Sequence, residues 1–197
     1  MRLDLKLAEQ WVKPGTRVLD LGCGEGELLA HLRDNFDVHG YGVEIDPARI
    51  TAAIANGVNV IQQDLNLGLG NFRDGSFDTV IMTQALQAVE QPDVLLEDML
   101  RVAREAIITF PNFAHWTARY HIALRGMMPV SEALPYTWYN TPNIHLCTFR
   151  DFDALCADKG IAVLDRLAVD GGQQGSVLAR LFPNLFGEVA IYRVTRR

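Results

Sequence analysis

Short apolar runs alternate with segments of helical spacing along most of this chain. That alternation constrains the fold more than any other feature. The strand-like runs are RVLDLG (17–22), VHGYGVEI (38–45), VNVIQQD (58–64), FDTVIMT (77–83), EAIITFP (105–111), IAVLDRL (161–167) and EVAIYRV (188–194). Between the first five, Leu28, Leu29 and Leu32 fall on one helix face, as do Ile50, Ala53 and Ile54, and then Leu95, Leu96, Met99 and Val102. Strand–helix alternation predicts an α/β fold: a doubly wound, mostly parallel sheet with helices on both faces, three layers in all, and right-handed crossovers. Asp46-Pro47 supplies a cap and a first-turn proline for the helix after the second run. Leu3, Leu7 and Trp11 predict a leading amphipathic helix. With 197 residues, no internal repeat and no linker, a single domain over 1–197 is expected. Two stretches break the alternation. Residues 112–147 are rich in aromatics, histidine and proline, and residues 168–187 carry SVLARLFPNLF.

The first run ends in LDLGCGEGELL, and a loop between a first strand and its helix is where doubly wound sheets bind ligands. Glycines there allow a sharp turn and a close backbone approach. A tight turn without a ligand is the plainer reading. Glu44 favours the ligand, because it ends the second run 22 residues after Gly22, where an acid accepts hydrogen bonds from a ribose. Gly22, Gly24 and Gly26 have the spacing GxGxG, and Glu27 stands where a dinucleotide site has its last glycine. Asp20, Glu25 and Glu27 surround the helix start with carboxylates, which repel a phosphate. They suit a ligand carrying an amine and a sulfonium, and S-adenosylmethionine (SAM) is such a cofactor.

LDLGCGEGELL with GVEID, QQDL and FDTVIMTQALQ resembles the class I SAM-dependent methyltransferases along nearly the whole chain. The resemblance implies a seven-stranded sheet whose last strand runs antiparallel between the fifth and sixth. It implies that Asp20 and the loop Gly22, Cys23, Gly24 and Gly26 hold the methionine part of SAM. It puts Glu44 on the ribose, Ile45 against adenine, and Asp64 with Leu65 at the adenine amino group; Asp64 also reads as an ordinary turn residue. The later stretch, FPNFAHWTARYHIALRGMMPVSEALPYTWYNTPNIHLCTFRDFDALC, resembles the MetW family, named for methionine biosynthesis. That resemblance implies a partner, the homoserine O-acyltransferase that starts the pathway. Family membership does not itself establish methyl transfer.

Residues 112–147 follow the fifth strand and are expected above the carboxyl edge as a lid or substrate insertion. Gln84, Trp116, Tyr120, Trp138, Tyr139 and Asn140 are its candidate substrate contacts, with core packing the plainer role for any single aromatic. Methyl transfer to oxygen or nitrogen needs a deprotonated acceptor, and His115 and His145 are candidate bases. His115 and His121 are six residues apart and no carboxylate lies at ligand spacing, so no metal site is expected. Cys23 has no base beside it in sequence and acids nearby, so it reads as an inert small residue.

The net charge of −6 counts against binding to nucleic acid or an anionic membrane. Three cysteines without CxxC spacing read as free thiols in a reducing cytoplasm. The charges scattered through the opening residues and the lack of a long apolar run lead to the expectation of no secretory leader and no membrane span. The six large apolar residues of SVLARLFPNLF either cap the sheet or form an interface, with the acyltransferase or with a second copy of the chain. Two functions from different classes stand: an active methyltransferase on a small acceptor, and a SAM-binding partner protein.

Overall fold

The structure, a computed structural model, describes residues 3–131, 133–170, 173–174 and 177–197, the pair 173–174 by backbone alone. Helix α1 (Leu3–Glu9) leads into β1 (Arg17–Leu21), α2 (Glu27–Phe36), β2 (His39–Glu44), α3 (Pro47–Ala55) and β3 (Asn59–Gln62). Then come β4 (Phe77–Thr83), α4 (Pro92–Val102), β5 (Ala103–Pro111) and α5 (Trp116–Tyr120), which runs into a π-type turn over His121–Arg125. The chain closes with α6 (Phe149–Asp158), β6 (Ile161–Asp170), a two-residue β7 (Gln173–Gln174), α7 (Val177–Leu181), α8 (Pro183–Phe186) and β8 (Val189–Arg196).

The sheet order is β3-β2-β1-β4-β5-β8-β6-β7. Strands β1 to β5 pair in parallel, and β8 runs antiparallel between β5 and β6. Seven long strands and the inserted last one agree with the expectation from sequence, and β7 extends the edge by two residues. Both faces are buried in the central strands β1, β4, β5 and β8, so these read as continuous apolar runs rather than alternating ones. Alternation within them sorts side chains to two cores. Leu19, Leu21, Val80, Met82, Ile108 and Tyr192 face α4 and α6, meeting Leu96, Met99, Phe149 and Phe152. Val18, Ile81, Ile107 and Ile191 face α1 and α2, meeting Leu5, Ala8, Leu28 and Leu32.

Local chemistry sets the element ends. Asp46 accepts from the Ala48 N–H at 2.8 Å and Pro47 opens α3, as the sequence predicts. Thr148 and Asp151 form a reciprocal capping box at α6. No side chain caps α2, whose leading residue is Gly26 in the left-handed region.

Candidate functional site

The loop after β1 lies at the carboxyl edge of the sheet. Gly22, Gly24 and Gly26 all have φ between 56° and 74°, where a side chain is strained. Space also demands glycine at the last of them, since a Cβ on Gly26 would stand 2.9 Å from Val58 Cγ2. Gly42 in β2 leaves the room that Cys23 fills, because a Cβ there would meet Cys23 Sγ. Burial, with the Asp20 and Glu44 carboxylates nearby, pushes the Cys23 thiol up to about 12. It is protonated at neutral pH and fills space beneath the loop.

Two buried acids flank the loop, and Glu44 anchors it. Asp20 in β1 is 2% exposed and shares the sheet face of Val18. Glu44 ends β2 at 5% exposed. Its Oε2 accepts from the Gly24 N–H at 2.9 Å, and its Oε1 accepts from the N–H groups of Ile45 at 2.8 Å and Asp46 at 3.0 Å. The carboxylate therefore ties the glycine loop to the end of β2 and keeps acceptor capacity for a further donor. The Ile45 side chain beside it is 57% exposed. Asp64 starts the 3-10 turn Leu65–Leu67, accepting from the Asn66 N–H at 2.9 Å. Asp64 and Leu65 are both half-buried.

Gln84 follows β4 with φ 51°, a left-handed conformation rare outside glycine and common at functional sites. The neighbouring Ala85 closes on the loop, since a Cβ on Gly22 would stand 3.3 Å from Ala85 Cβ. Sequence reasoning did not single out two further residues here, Asp4 and Gln87. Asp4 accepts from Gln84 Nε2 at 3.3 Å, and Gln87 donates to the Gln84 carbonyl at 2.8 Å. Asp4 carries no motif and lies 80 positions away from Gln84, so only the fold brings them together.

The 112–147 segment is closed at its root by the Phe113 N–H on the Cys147 carbonyl, 3.0 Å. Its far end crosses the turn after β4: the N–H groups of Ile144 and His145 both donate to the Gln87 carbonyl, at 2.9 and 3.0 Å. The exposed His145 ring meets the Glu90 carbonyl at 3.2 Å. His115 lies elsewhere. Its Nδ1 meets Thr117 Oγ1 at 2.8 Å, and its Nε2 is 3.8 Å from Asp170 at the end of β6. Strand β6 is four positions from β1, on the order of 19 Å at the usual strand spacing. Burial holds the His115 ring below its ordinary value, against the upward pull of Glu188 and Asp170.

The aromatic candidates do not converge. Trp116 and Tyr120 lie on the outer face of α5, and Trp138 and Tyr139 are 75% and 72% exposed, packed edge to face at 5.7 Å. Asn140 is spent on the turn, accepting from the Thr137 N–H and hydroxyl at 2.9 Å. A cavity of about 40 Å³ inside the segment is lined by Phe113, Met128, Tyr136, Trp138 and neighbours, with no residue of the glycine loop. A groove of about 200 Å³ between Leu29, Arg33, Tyr41 and Asn59 lies at the amino ends of β2 and β3, away from the loop. Among the described residues there is no group of three or more His, Cys, Asp or Glu suited to a metal ion. Nor is any helix among them long and apolar enough to cross a membrane.

This sheet order, with its glycine loop and acid-ended β2, has the fold of the class I SAM-dependent methyltransferases. A SAM-dependent methyltransferase from Mesorhizobium loti superposes with a TM-score of 0.71, at 16% identity over 98% of both chains. The putative methyltransferase solved in complex with the Haloferax volcanii Trm112 activator superposes with a TM-score of 0.69, at 17% identity over 98% of this chain and 88% of that one. Residues 2–194 match the family model described as methionine biosynthesis protein MetW, and the chain belongs to that family. The bifunctional methionine biosynthesis protein MetXA/MetW of Rhodopirellula baltica is 38% identical over 91% of this chain, which spans 30% of that relative. Norajmaline N-methyltransferase of Rauvolfia serpentina is 25% identical over 62% of this chain, the match spanning 41% of that enzyme.

Proposed function

We propose that this chain is a SAM-binding protein of methionine biosynthesis that acts with, and activates, homoserine O-acyltransferase in the cytoplasm. The observation that carries the partnership is the Rhodopirellula baltica relative, whose name joins MetXA to MetW in one chain. The loop carries the cofactor. Three left-handed glycines bring backbone close to a ligand, and the buried Asp20 and Glu44 favour one with positive charge and hydroxyl donors. In this reading Asp20, Gly22, Cys23, Gly24 and Gly26 line the methionine part, Glu44 receives the ribose, and Ile45, Asp64 and Leu65 border adenine. The exposed Ile45 offers an apolar face to a ring. SAM, when bound, supplies an electrophilic methyl group; here its main value is as a report of pathway output.

The test is acyltransferase activity with and without this chain, across SAM concentrations. Activation that responds to SAM is expected. An acyltransferase indifferent to the chain overturns the partnership. Names of curated relatives such as the norajmaline enzyme favour a second reading, methyl transfer to a small acceptor under residues 112–147. Positioning and exclusion of water would then be the protein's share. Acceptor-dependent loss of SAM, measured without the acyltransferase, separates the two.

A further inference from the structure

At the amino ends of β2 and β3, on the sheet edge opposite the glycine loop, α2 and the turn before β3 enclose a groove of about 200 Å³. That is room for roughly seven waters of about 30 Å³ each, so its occupant is smaller than a drug-sized ligand. Two glycines and an arginine build it. The registered pairing of β2 with β3 begins at Tyr41 and Asn59, so the backbone of His39 and Gly40 faces the Gly57 turn across the groove rather than across a ladder. Gly57 has φ 72°, and a Cβ on it would stand 2.8 Å from Arg33 Nη1. A Cβ on Gly40 would stand 2.7 Å from Leu29 Cδ2. A side chain at either position would displace the walls. The floor is apolar, made by the buried Leu29, Val38 and Val58.

Arg33 is held in place over this floor. Its Nη1 donates to the carbonyls of Asn56 at 3.1 Å and Gly57 at 2.7 Å, and its Nε donates to Asp34 at 2.8 Å. These bonds fix the guanidinium plane across the gap between α2 and the turn, and they leave the Nη2 donors for another acceptor. His39 lines the groove as well. Among the described residues no carboxylate lines it, in a chain with 24 acids and a net charge of −6; Asp34 offsets Arg33 only from the Nε side, at the surface. Fixed cationic donors above an apolar floor select a small organic anion. The floor favours a carboxylate on a short chain over a bare phosphate, which is met by several convergent backbone N–H groups. We infer that this groove is a binding site for a small aliphatic carboxylate. Arg33 Nη2 donates to the carboxylate oxygens, and the chain of the ligand lies on Leu29, Val38 and Val58. Its occupant touches the same helix that Gly26 opens at the other edge of the sheet. The site is independent of the cofactor reading above.

Titration of the full chain, followed by NMR of its backbone amides, tests it with three probes: butyrate, butyramide, which has nearly the same shape without the charge, and inorganic phosphate. Butyrate is expected to give saturable shifts at the amides of 38–41 and 57–59, and butyramide to bind there roughly tenfold more weakly or worse. Arg33→Gln removes the charge and is expected to weaken butyrate by roughly tenfold or more. No saturable shift at these amides overturns the site. Butyrate and butyramide binding alike overturns recognition by charge, and phosphate binding more tightly than butyrate overturns the carboxylate class. Unchanged butyrate affinity in a folded Arg33→Gln overturns the proposal as well. Should Arg33→Gln fail to fold, the comparison of butyrate with butyramide on the wild type decides, since it needs no variant.

Discussion

Glu44 holds three backbone N–H groups at once, with its carboxylate almost out of water. Glu44→Ala leaves the Gly24 N–H without its acceptor at the point where the loop meets β2. Calorimetry on this variant should show SAM affinity falling roughly 10- to 150-fold, the effect of losing a charged acceptor worth about 1.5–3 kcal/mol. Unchanged affinity would move the site away from this loop. His115 makes a different prediction, about stability. Its folded pKa lies below the ordinary 6.5, so as pH falls the unfolded chain takes up its proton first. Stability tied to His115 is present above that value and is lost as pH falls through and below it. Denaturant melts between about pH 7 and pH 5 should therefore show a shallower pH dependence in His115→Gln than in the wild type. An identical slope would show that the ring titrates alike in both states. The two residues differ in legibility. Glu44 was legible because strand end and loop spacing fix its place. The surroundings of His115 were not, since Asp170 and Glu188 reach it only through the β5–β8–β6 pairing.

At the scale of elements, α7 has its amphipathicity inverted. Ala179 is fully buried, while Val177, Leu178 and Leu181, with Phe182 just beyond, are 52–72% exposed. Of the six large side chains that the sequence reading weighed, these four are exposed while Leu185 and Phe186 are half-buried; Ser176 lies outside the described residues. A cluster of this kind marks an interface more often than a solvated surface. Leu181→Asp with Phe182→Ser should abolish co-purification with the acyltransferase while leaving the thermal melt and SAM affinity intact. Retained association places the interface elsewhere, and unfolding shows that the segment supports the core. The long strands and α2, α3 and α4 were legible because each carries enough residues for a period to show. Helices α7 and α8, five and four residues long, offer no period to read. The π-type turn His121–Arg125 is not legible either, because the spacing of Trp116, Tyr120 and Leu124 fits an ordinary helix equally well. All three side chains lie at the surface, 44–74% exposed.

Over the whole molecule, the turn after β4 is held by distant parts: α1 through Asp4, and the returning end of 112–147 across Gln87. If that segment covers the ligand, SAM should slow amide hydrogen exchange in 112–147 as well as in 20–65. Protection confined to 20–65 would make the segment a bystander to binding. The three thiols bear on the alkaline limit of the fold. Burial raises Cys23 and Cys147 to about 12 and Cys156 to about 11, from the ordinary 9.0. The unfolded chain thus loses these protons first, and stability should fall as pH rises above about 9, which melts of the Cys147→Ala variant would show as a gentler decline. Strand β8 has a further consequence, for the order in which the chain is made. Both strands that flank it, β5 and β6, leave the ribosome earlier, and neither can complete its pairing until β8 arrives between them. During that interval the nascent protein carries two open strand edges rich in Ile, Val and Phe, the kind of surface that recruits other chains. Chaperone dependence and misassembly during synthesis should therefore concentrate on the gap that β8 fills.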